Sequence, residues 1–403
     1  MFVVFAAPLL SDNAFGMIQA AASLPGVHLG VITHDGPEKL RHLHGHAAHW
    51  KVTNILDESQ LLWAARGLQE HHGAIHRLYG AYEQLQEPLA SVRTTLGIPG
   101  LSREAATNFR DKARMKTLLR GAGLPCARHR LAGSADDAVA FAEHSGFPLV
   151  VKPPTGAGAV STYRVDNMAQ LLGALAGSPP TPRAPVLLEE FVVGEEHSFE
   201  TITLDGRHVW HSLTHYYPTP LTVVENKWIQ WSVVLPREVD DARYDDIRTA
   251  ARKALDVLGM STGISHMEWF RRADGTIAIS EVAARPPGAQ ITTLMSRAHD
   301  FDLLREWSRA MIVGEFTVPE RKYAVGAAYL RGQGEGRITA IHGLEAIQRQ
   351  LGDLVVDFKM PGIGATPSTS YEGDGFIIVR HPTTSRVEDA VMKIISTVRV
   401  ELG

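Results

Sequence analysis

The chain has 403 residues, 44% hydrophobic and 21% charged, an ordinary globular composition that excludes a largely disordered polypeptide. Lys plus Arg number 40 against 44 Asp plus Glu, and the formal charge of −4 argues against a nucleic-acid binder relying on a basic face. A single cysteine, Cys126, rules out an internal disulfide framework and thiolate-rich metal sites. The run MFVVFAAPLLSDNAF has no basic n-region and reads as a first strand over 2–7, not a signal peptide. No stretch reaches the roughly 20 apolar residues of a membrane span, so a cytoplasmic protein with no membrane partner is expected. Helical spacing over 13–24, a strand over 27–33, and helices around 58–72 and 86–96 flanking the apolar segment 74–80 predict a parallel α/β domain. The first strand lacks the tight-turn glycines of a dinucleotide fingerprint. Residues 108–121 read as one helix, followed by strands at 148–152 and 185–192 with a Pro-rich surface loop at 177–185. Hairpins are predicted at 198–213, turning at Asp205-Gly206, and at 264–282, turning at Asp274-Gly275. A last α/β segment runs from about 322 and closes with a helix over 386–399.

The loop TGAGAVST (155–162) frees the backbone at Gly156 and Gly158, and Ser161 and Thr162 add donors; such a turn can cradle phosphate, or be only a turn. Lys112 on the preceding helix and Lys152 at the end of an apolar strand flank it. An unpaired charge there is costly, so Lys152 either snorkels or meets a phosphate. The segment EEFVVGEE (189–196) ends a strand in a glycine turn, which can read an adenine edge or be a solvated acidic turn. In the second hairpin, a loop over 273–276 puts Phe270 opposite Ile279 and Glu268 opposite Glu281. Like charges directly opposite are destabilising, and a divalent cation would relieve them. His266 shares their face. A one-residue slip would instead send Glu268 to solvent. Arg285 follows in Arg285-Pro286-Pro287-Gly288, where a guanidinium suits a carboxylate or phosphoryl oxygen, and Gly288 is expected to permit close approach. The cluster His42, His44, His46 and His49 does not match a zinc-helix spacing and is better read as a solvated group.

In this order, the segments NFRDKARMKTLLRGAGLPCARHR, PLVVKPPTGAGAVST, EEFVVGEEHSFE and HMEWF…ISEVAARPPG resemble the ATP-grasp superfamily of carboxylate–amine ligases, the dipeptide-forming L-amino-acid ligase branch above all. The resemblance implies an α/β fold with a parallel N-terminal domain (1–107), an ATP-grasp lobe with lysines and phosphate loop (108–197), a second lobe with the metal-binding hairpin (198–320) and a C-terminal α/β segment (321–403). It implies ATP and Mg²⁺ (two ions, or Mn²⁺ in their place), small carboxylate and amine substrates, and is compatible with a homodimer. By the same resemblance, Lys112 and Lys152 contact the nucleotide, and Gly156, Gly158 and Ser161 close over the triphosphate. Glu189, Phe191 and Val192 form the adenine hinge, and Glu196 holds the ribose. Glu268 and Glu281 hold the metal, and Arg285 and His266 carry the catalysis. Many members have Asn where this chain has Ala283, which bears on the number of protein ligands per ion. A biotin-carboxylase-like or purine-pathway enzyme, or a non-catalytic nucleotide binder, are the other readings of the same residues.

Overall fold

The computed structural model describes residues 1–41, 48–155, 162–226 and 228–403. The N-terminal unit comprises β1 (Phe2–Ala6), α1 (Asp12–Ala22), β2 (His28–Thr33), β3 (Ala48–Lys51), α2 (Glu58–His72), β4 (Ile75–Tyr79) and α3 (Gln86–Leu96). Its sheet has the order β3-β2-β1-β4 and is parallel throughout, as the alternation of strands and helices predicts. Every residue of β1 is buried because both sheet faces are covered. Val3 and Phe5 enter one core with α1, while Phe2 and Val4 enter another with α2 and α3. Side-chain caps start the helices: Ser11 accepts from the Ala14 N–H, and Asp57 from those of Ser59 and Gln60. The chain leaves β4 through Gly80, where a Cβ would lie 2.4 Å from the Ala6 carbonyl oxygen. That close approach brings Tyr82 and Glu83 to the carboxyl end of the parallel strands, where open α/β sheets place their ligands.

The next unit contains α4 (Arg103–Arg110), α5 (Lys112–Gly121), β5 (His129–Ala132), α6 (Ala135–Ser145), β6 (Leu149–Lys152), β7 (Tyr163–Val165), α7 (Met168–Ala176) and β8 (Val186–Glu190). The single helix expected over 108–121 is two. Asp111 takes extended backbone angles, ends α4, and caps α5 by accepting from the Ala113 and Arg114 N–H groups. Lys112 thereby becomes the first residue of a helix. The antiparallel sheet β5-β8-β6-β7 carries α6 and α7 on its core, and 177–185 connects α7 to β8.

The remainder is built on one eight-stranded antiparallel sheet. It contributes β9 (Glu195–Leu204), β10 (Arg207–Tyr217), α8 (Pro220–Glu225), β11 (Ser232–Leu235), α9 (Asp245–Leu258), β12 (Gly263–Arg271), β13 (Ile277–Ala283), α10 (Ile291–His299) and α11 (Leu303–Val313). There follow β14 (Ala324–Leu330), β15 (Gly332–Gln333), β16 (Ile338–His342), α12 (Leu344–Leu351), β17 (Val355–Lys359), β18 (Gly375–His381), α13 (Thr384–Thr397) and β19 (Arg399–Leu402). The order is β13-β12-β9-β10-β11-β14-β18-β17, so β14, β17 and β18, after residue 321, extend the sheet that begins at Glu195, while β15, β19 and β16 form a separate small sheet. Asp205 and Gly206, both at positive φ, close the β9–β10 hairpin as its Asp-Gly pair predicts. The two sheet faces differ. Phe199, Met267 and Trp269 pack beneath α4, α5 and α9, whereas Ile202 and Ile264 pack toward α1, α10 and α11. Glu196, Glu200, His266 and Glu268 alternate with the first set and so share the face of the second. Among the described residues, no helix is long and apolar enough to cross a membrane.

Candidate active site

A cavity of about 760 Å³ is lined by β6, β8, β9, β12, β13, the loop after β4 and the segment after β13. Lys112, Lys152, Glu189, Phe191, Val192, Glu196, His266, Glu268, Glu281 and Arg285, separated by up to 173 positions in sequence (285 − 112), all line it. Gly156, Gly158 and Ser161, and His42, His44 and His46, lie outside the described residues. His49 sits apart, its Nε2 against the Asp35 carbonyl at 2.9 Å.

The two lysines are joined through the backbone: the Lys112 N–H donates to the Pro154 carbonyl at 3.0 Å, next to the end of β6. Lys112 Nζ lies 2.9 Å from Glu281 Oε1, and Lys152 Nζ 3.0 Å from Glu189 Oε2. Glu189 also meets Lys116 Nζ, at 3.3 Å. Burial would raise the Glu189 carboxyl, but the charges of Lys116 and Lys152 outweigh it and hold it below its ordinary value. Burial lowers Lys152 too, yet Glu189 and Glu281 bring it out above normal. Lys116 was not singled out from sequence. The signal was present: it lies one turn after Lys112, between the apolar residues Met115 and Leu119, on the buried side of α5.

The hairpin register explains the carboxylate pair. Near the turn, Phe270 pairs with Ala278 and Trp269 with Ile279, one residue out of step with the expected Phe270–Ile279 pairing. An extra residue, Ser280, bulges out of β13, and beyond it Glu268 faces Glu281 as expected. The bulge has a second use: the freed Ser280 carbonyl accepts from Lys116 Nζ at 2.7 Å. His266 Nδ1 lies 2.8 Å from Glu200 Oε1 and its Nε2 3.7 Å from Glu268 Oε1. Burial disfavours the imidazolium, but these two carboxylates prevail and raise His266 to about 9. Glu196 moves the other way. Burial, then the neighbouring Glu268 charge, push its carboxyl well above the usual range. Glu200, fully buried, escaped the sequence reading because its role depends on the β9–β12 pairing that sets it opposite His266.

Arg285 Nε donates to Glu83 Oε2 at 2.6 Å, and Arg285 Nη1 to the Pro286 carbonyl at 2.9 Å. Arg110 reaches the other Glu83 oxygen at 3.4 Å. Glu83 comes from the N-terminal unit, and nothing in its local sequence marks it. No close approach within the chain requires a glycine at Gly288, where a Cβ would lie 3.9 Å from Glu372 Oε1; Ala289 and Gln290 take the positive φ. The Ala289 carbonyl is bonded by Tyr329 Oη. At the other end, the Phe191 N–H donates to the Pro148 carbonyl at 3.1 Å, and the Arg164 guanidinium covers the Phe191 ring at 4.5 Å.

Among the described residues, no group of three or more His, Cys, Asp or Glu forms a closed metal cage. Glu268 and Glu281 nonetheless fit Mg²⁺, which is commonly held by one or two carboxylates together with substrate phosphates. Ala283, opposite His266 in the ladder, adds no ligand.

Residues 117–300 match the family model of the ATP-grasp domain. The chain is 26% identical over 233 residues to an L-arginine-specific L-amino acid ligase of Bacillus subtilis, a match covering 57% of this chain and 55% of that protein. The crystal structure of an L-amino acid ligase from Bacillus licheniformis superposes with a TM-score of 0.79 at 19% identity, covering 100% of this chain and 98% of that one. N5-carboxyaminoimidazole ribonucleotide synthetase from Thermotoga maritima gives 0.73 at 16%, covering 100% and 99%. The chain thus spans only about half the length of the curated ligase it matches.

Proposed function

We propose that the protein is an ATP-dependent carboxylate–amine ligase that joins amino acids, releasing ADP and phosphate. The observation that carries this reading is the convergence of Lys112, Lys152, Glu268, Glu281 and Arg285 on one cavity. A carboxylate does not condense with an amine at neutral pH. Transfer of the ATP γ-phosphoryl group to a carboxylate oxygen gives an acyl phosphate and ADP. The amine then attacks the acyl carbon, and the tetrahedral species expels phosphate as the amine nitrogen loses its proton. Both steps concentrate negative charge, and positioning with electrostatic stabilisation supplies most of the catalysis. Lys112 and Lys152 neutralise the phosphates. Arg285, oriented by Glu83, takes two oxygens of the acyl phosphate or the tetrahedral oxyanion. His266, fixed by Glu200, holds Glu268 in place. Phe191 and Val192 receive the adenine and Glu196 the ribose. Glu268 and Glu281 would hold Mg²⁺, which when bound neutralises charge on the phosphates.

The test is ADP release with Mg·ATP and pairs of amino acids, with product mass. Amino-acid-dependent ADP and phosphate, together with a dipeptide mass, support the reading; AMP and pyrophosphate would sink it. A biotin-carboxylase-like or purine-pathway enzyme would instead show ADP release that does not depend on amino acids.

A further inference from the structure

The cavity wall divides chemically. The lysines and carboxylates from α5, β6, β8, β9, β12 and β13 make one part. The other part contains Met17, Tyr82, Tyr216, Trp231, Ile291 and Tyr371, drawn from six separate stretches of chain, and all six pack on a single hydrophobic cluster. Trp231 organises it. Its ring meets Tyr216 edge-on at 5.3 Å and Tyr371 edge-on at 4.9 Å, and stacks on Tyr329 at 4.9 Å. Its only polar atom, Nε1, is spent on the Pro218 carbonyl at 2.8 Å. Tyr82 Oη is likewise engaged with Ser11 Oγ at 3.3 Å. Tyr371 lines the same cavity as Glu196, Glu268 and Arg285, so this apolar wall adjoins the centre where the acyl group would be activated.

We propose that this wall receives the side chain of one amino-acid substrate, and that this side chain is bulky and uncharged, of the Leu, Met, Phe or Trp kind. The inference rests on the ligase reading above and deepens it. Large neutral side chains bury apolar surface against carbon here, whereas a charged one would lose its hydration without a counter-ion. The nearby carboxylates are committed elsewhere or disfavoured as anions. Glu83 holds Arg285 and Arg110. Burial raises the carboxyl of Glu372, behind Gly288, above its ordinary value, which disfavours the charge that a cation would need. A small side chain would leave the aromatic wall uncovered, and a single methylene in a hydrophobic pocket is worth roughly 10–200-fold in discrimination.

The experiment measures ADP release under Mg·ATP, with one amino acid saturating and the other varied over Gly, Ala, Leu, Met, Phe, Trp, Arg, Lys, Asp and Glu. A direct titration of Mg·ATP binding runs alongside. The best bulky neutral amino acid should exceed Ala, and every charged one, by at least about tenfold in kcat/KM. Tyr371→Ala and Met17→Ala, each checked by thermal melting, should raise the KM for that amino acid about tenfold while the KM for ATP stays within about twofold. If Gly, Ala or a charged amino acid is preferred, this proposal falls and the ligase reading stands. Bulky preference with an unmoved KM in both variants would put the side chain elsewhere and overturn it. If ATP binds but no amino acid stimulates ADP release, the ligase reading fails and takes this one with it.

Discussion

Glu83→Gln tests whether the N-terminal unit orients Arg285, the arginine proposed to meet the acyl phosphate. Glu83 is nearly buried, 6% exposed at its side chain, and lies 2.6 Å from Arg285 Nε and 3.4 Å from Arg110 Nη1. The substitution keeps shape and one acceptor but leaves two guanidinium groups sharing no carboxylate. Removing one partner of a buried ion pair costs about 3–5 kcal/mol, and the partly open side of Arg285 puts this case near the lower end, about 3 kcal/mol. The melting temperature should fall by several degrees with the fold retained. The larger effect should be on chemistry. A guanidinium displaced by an ångström loses on the order of 10²-fold in rate, so ligation should drop by that factor while ATP affinity changes little. Arg285→Lys alone should also lose most ligation, because an ammonium cannot engage two oxygens at once. Combined with Glu83→Gln it should add almost nothing, since both changes remove one interaction. A Glu83→Gln enzyme that ligates at close to the wild-type rate, or a double variant whose losses multiply, would refute the orienting role.

Other consequences are as direct. Glu268→Gln and Glu281→Gln should each cut Mg²⁺-dependent turnover by orders of magnitude without unfolding the protein; near-normal rates would remove the paired carboxylates from the metal site. Lys116→Met should leave Glu189 to Lys152 alone, drawing that ammonium from the phosphates, and the Kd for ATP should rise about tenfold; an unchanged Kd would make Lys116 purely structural. Burial, then the Arg321 charge, lower His299 to about 4 from an ordinary 6.5. Below pH 6.5 the unfolded chain therefore binds a proton that the folded one refuses, and stability should be full above that pH and fall by up to about 3 kcal/mol toward pH 4. Denaturant melts should show this slope diminished in His299→Gln; an equal slope in both proteins would assign the acid sensitivity to other groups, such as His197 and His215, which burial also depresses.

How far such a site can be read from sequence depends on whether a residue's partner is local. Phe191 and Glu196 were singled out only by the family resemblance, whereas Lys152 and the Glu268–Glu281 pair were legible as neighbours of one site because each sits at a strand end or on one hairpin, where period and turn chemistry set the neighbours. Even there the pairing came out right for an incomplete reason. A regular ladder continued from the observed Phe270–Ala278 pair would set Glu268 opposite Ser280, and only the bulge restores Glu281. Glu200 and Glu83 were illegible because neither has a local signature. Glu200 matters through the β9–β12 register, and Glu83 through an approach 202 residues long in sequence. The break at Asp111 belongs to the same lesson. An aspartate inside a helical pattern reads as a weak helix former, whereas its carboxylate can instead cap a new helix, and which outcome wins is set by tertiary packing. Here the break lets the Lys112 backbone bond Pro154 while its ammonium reaches Glu281, so a single cap ties the lysine helix to both the strand end and the carboxylate hairpin. Asp111→Ala should therefore do more than shorten a helix by a turn. A lost cap costs about 1 kcal/mol, but the displaced Lys112 should weaken ATP binding by more than tenfold, a factor that 1 kcal/mol of general destabilisation cannot supply. A variant that loses the stability and keeps its ATP affinity would show that Lys112 is positioned by its carboxylate alone.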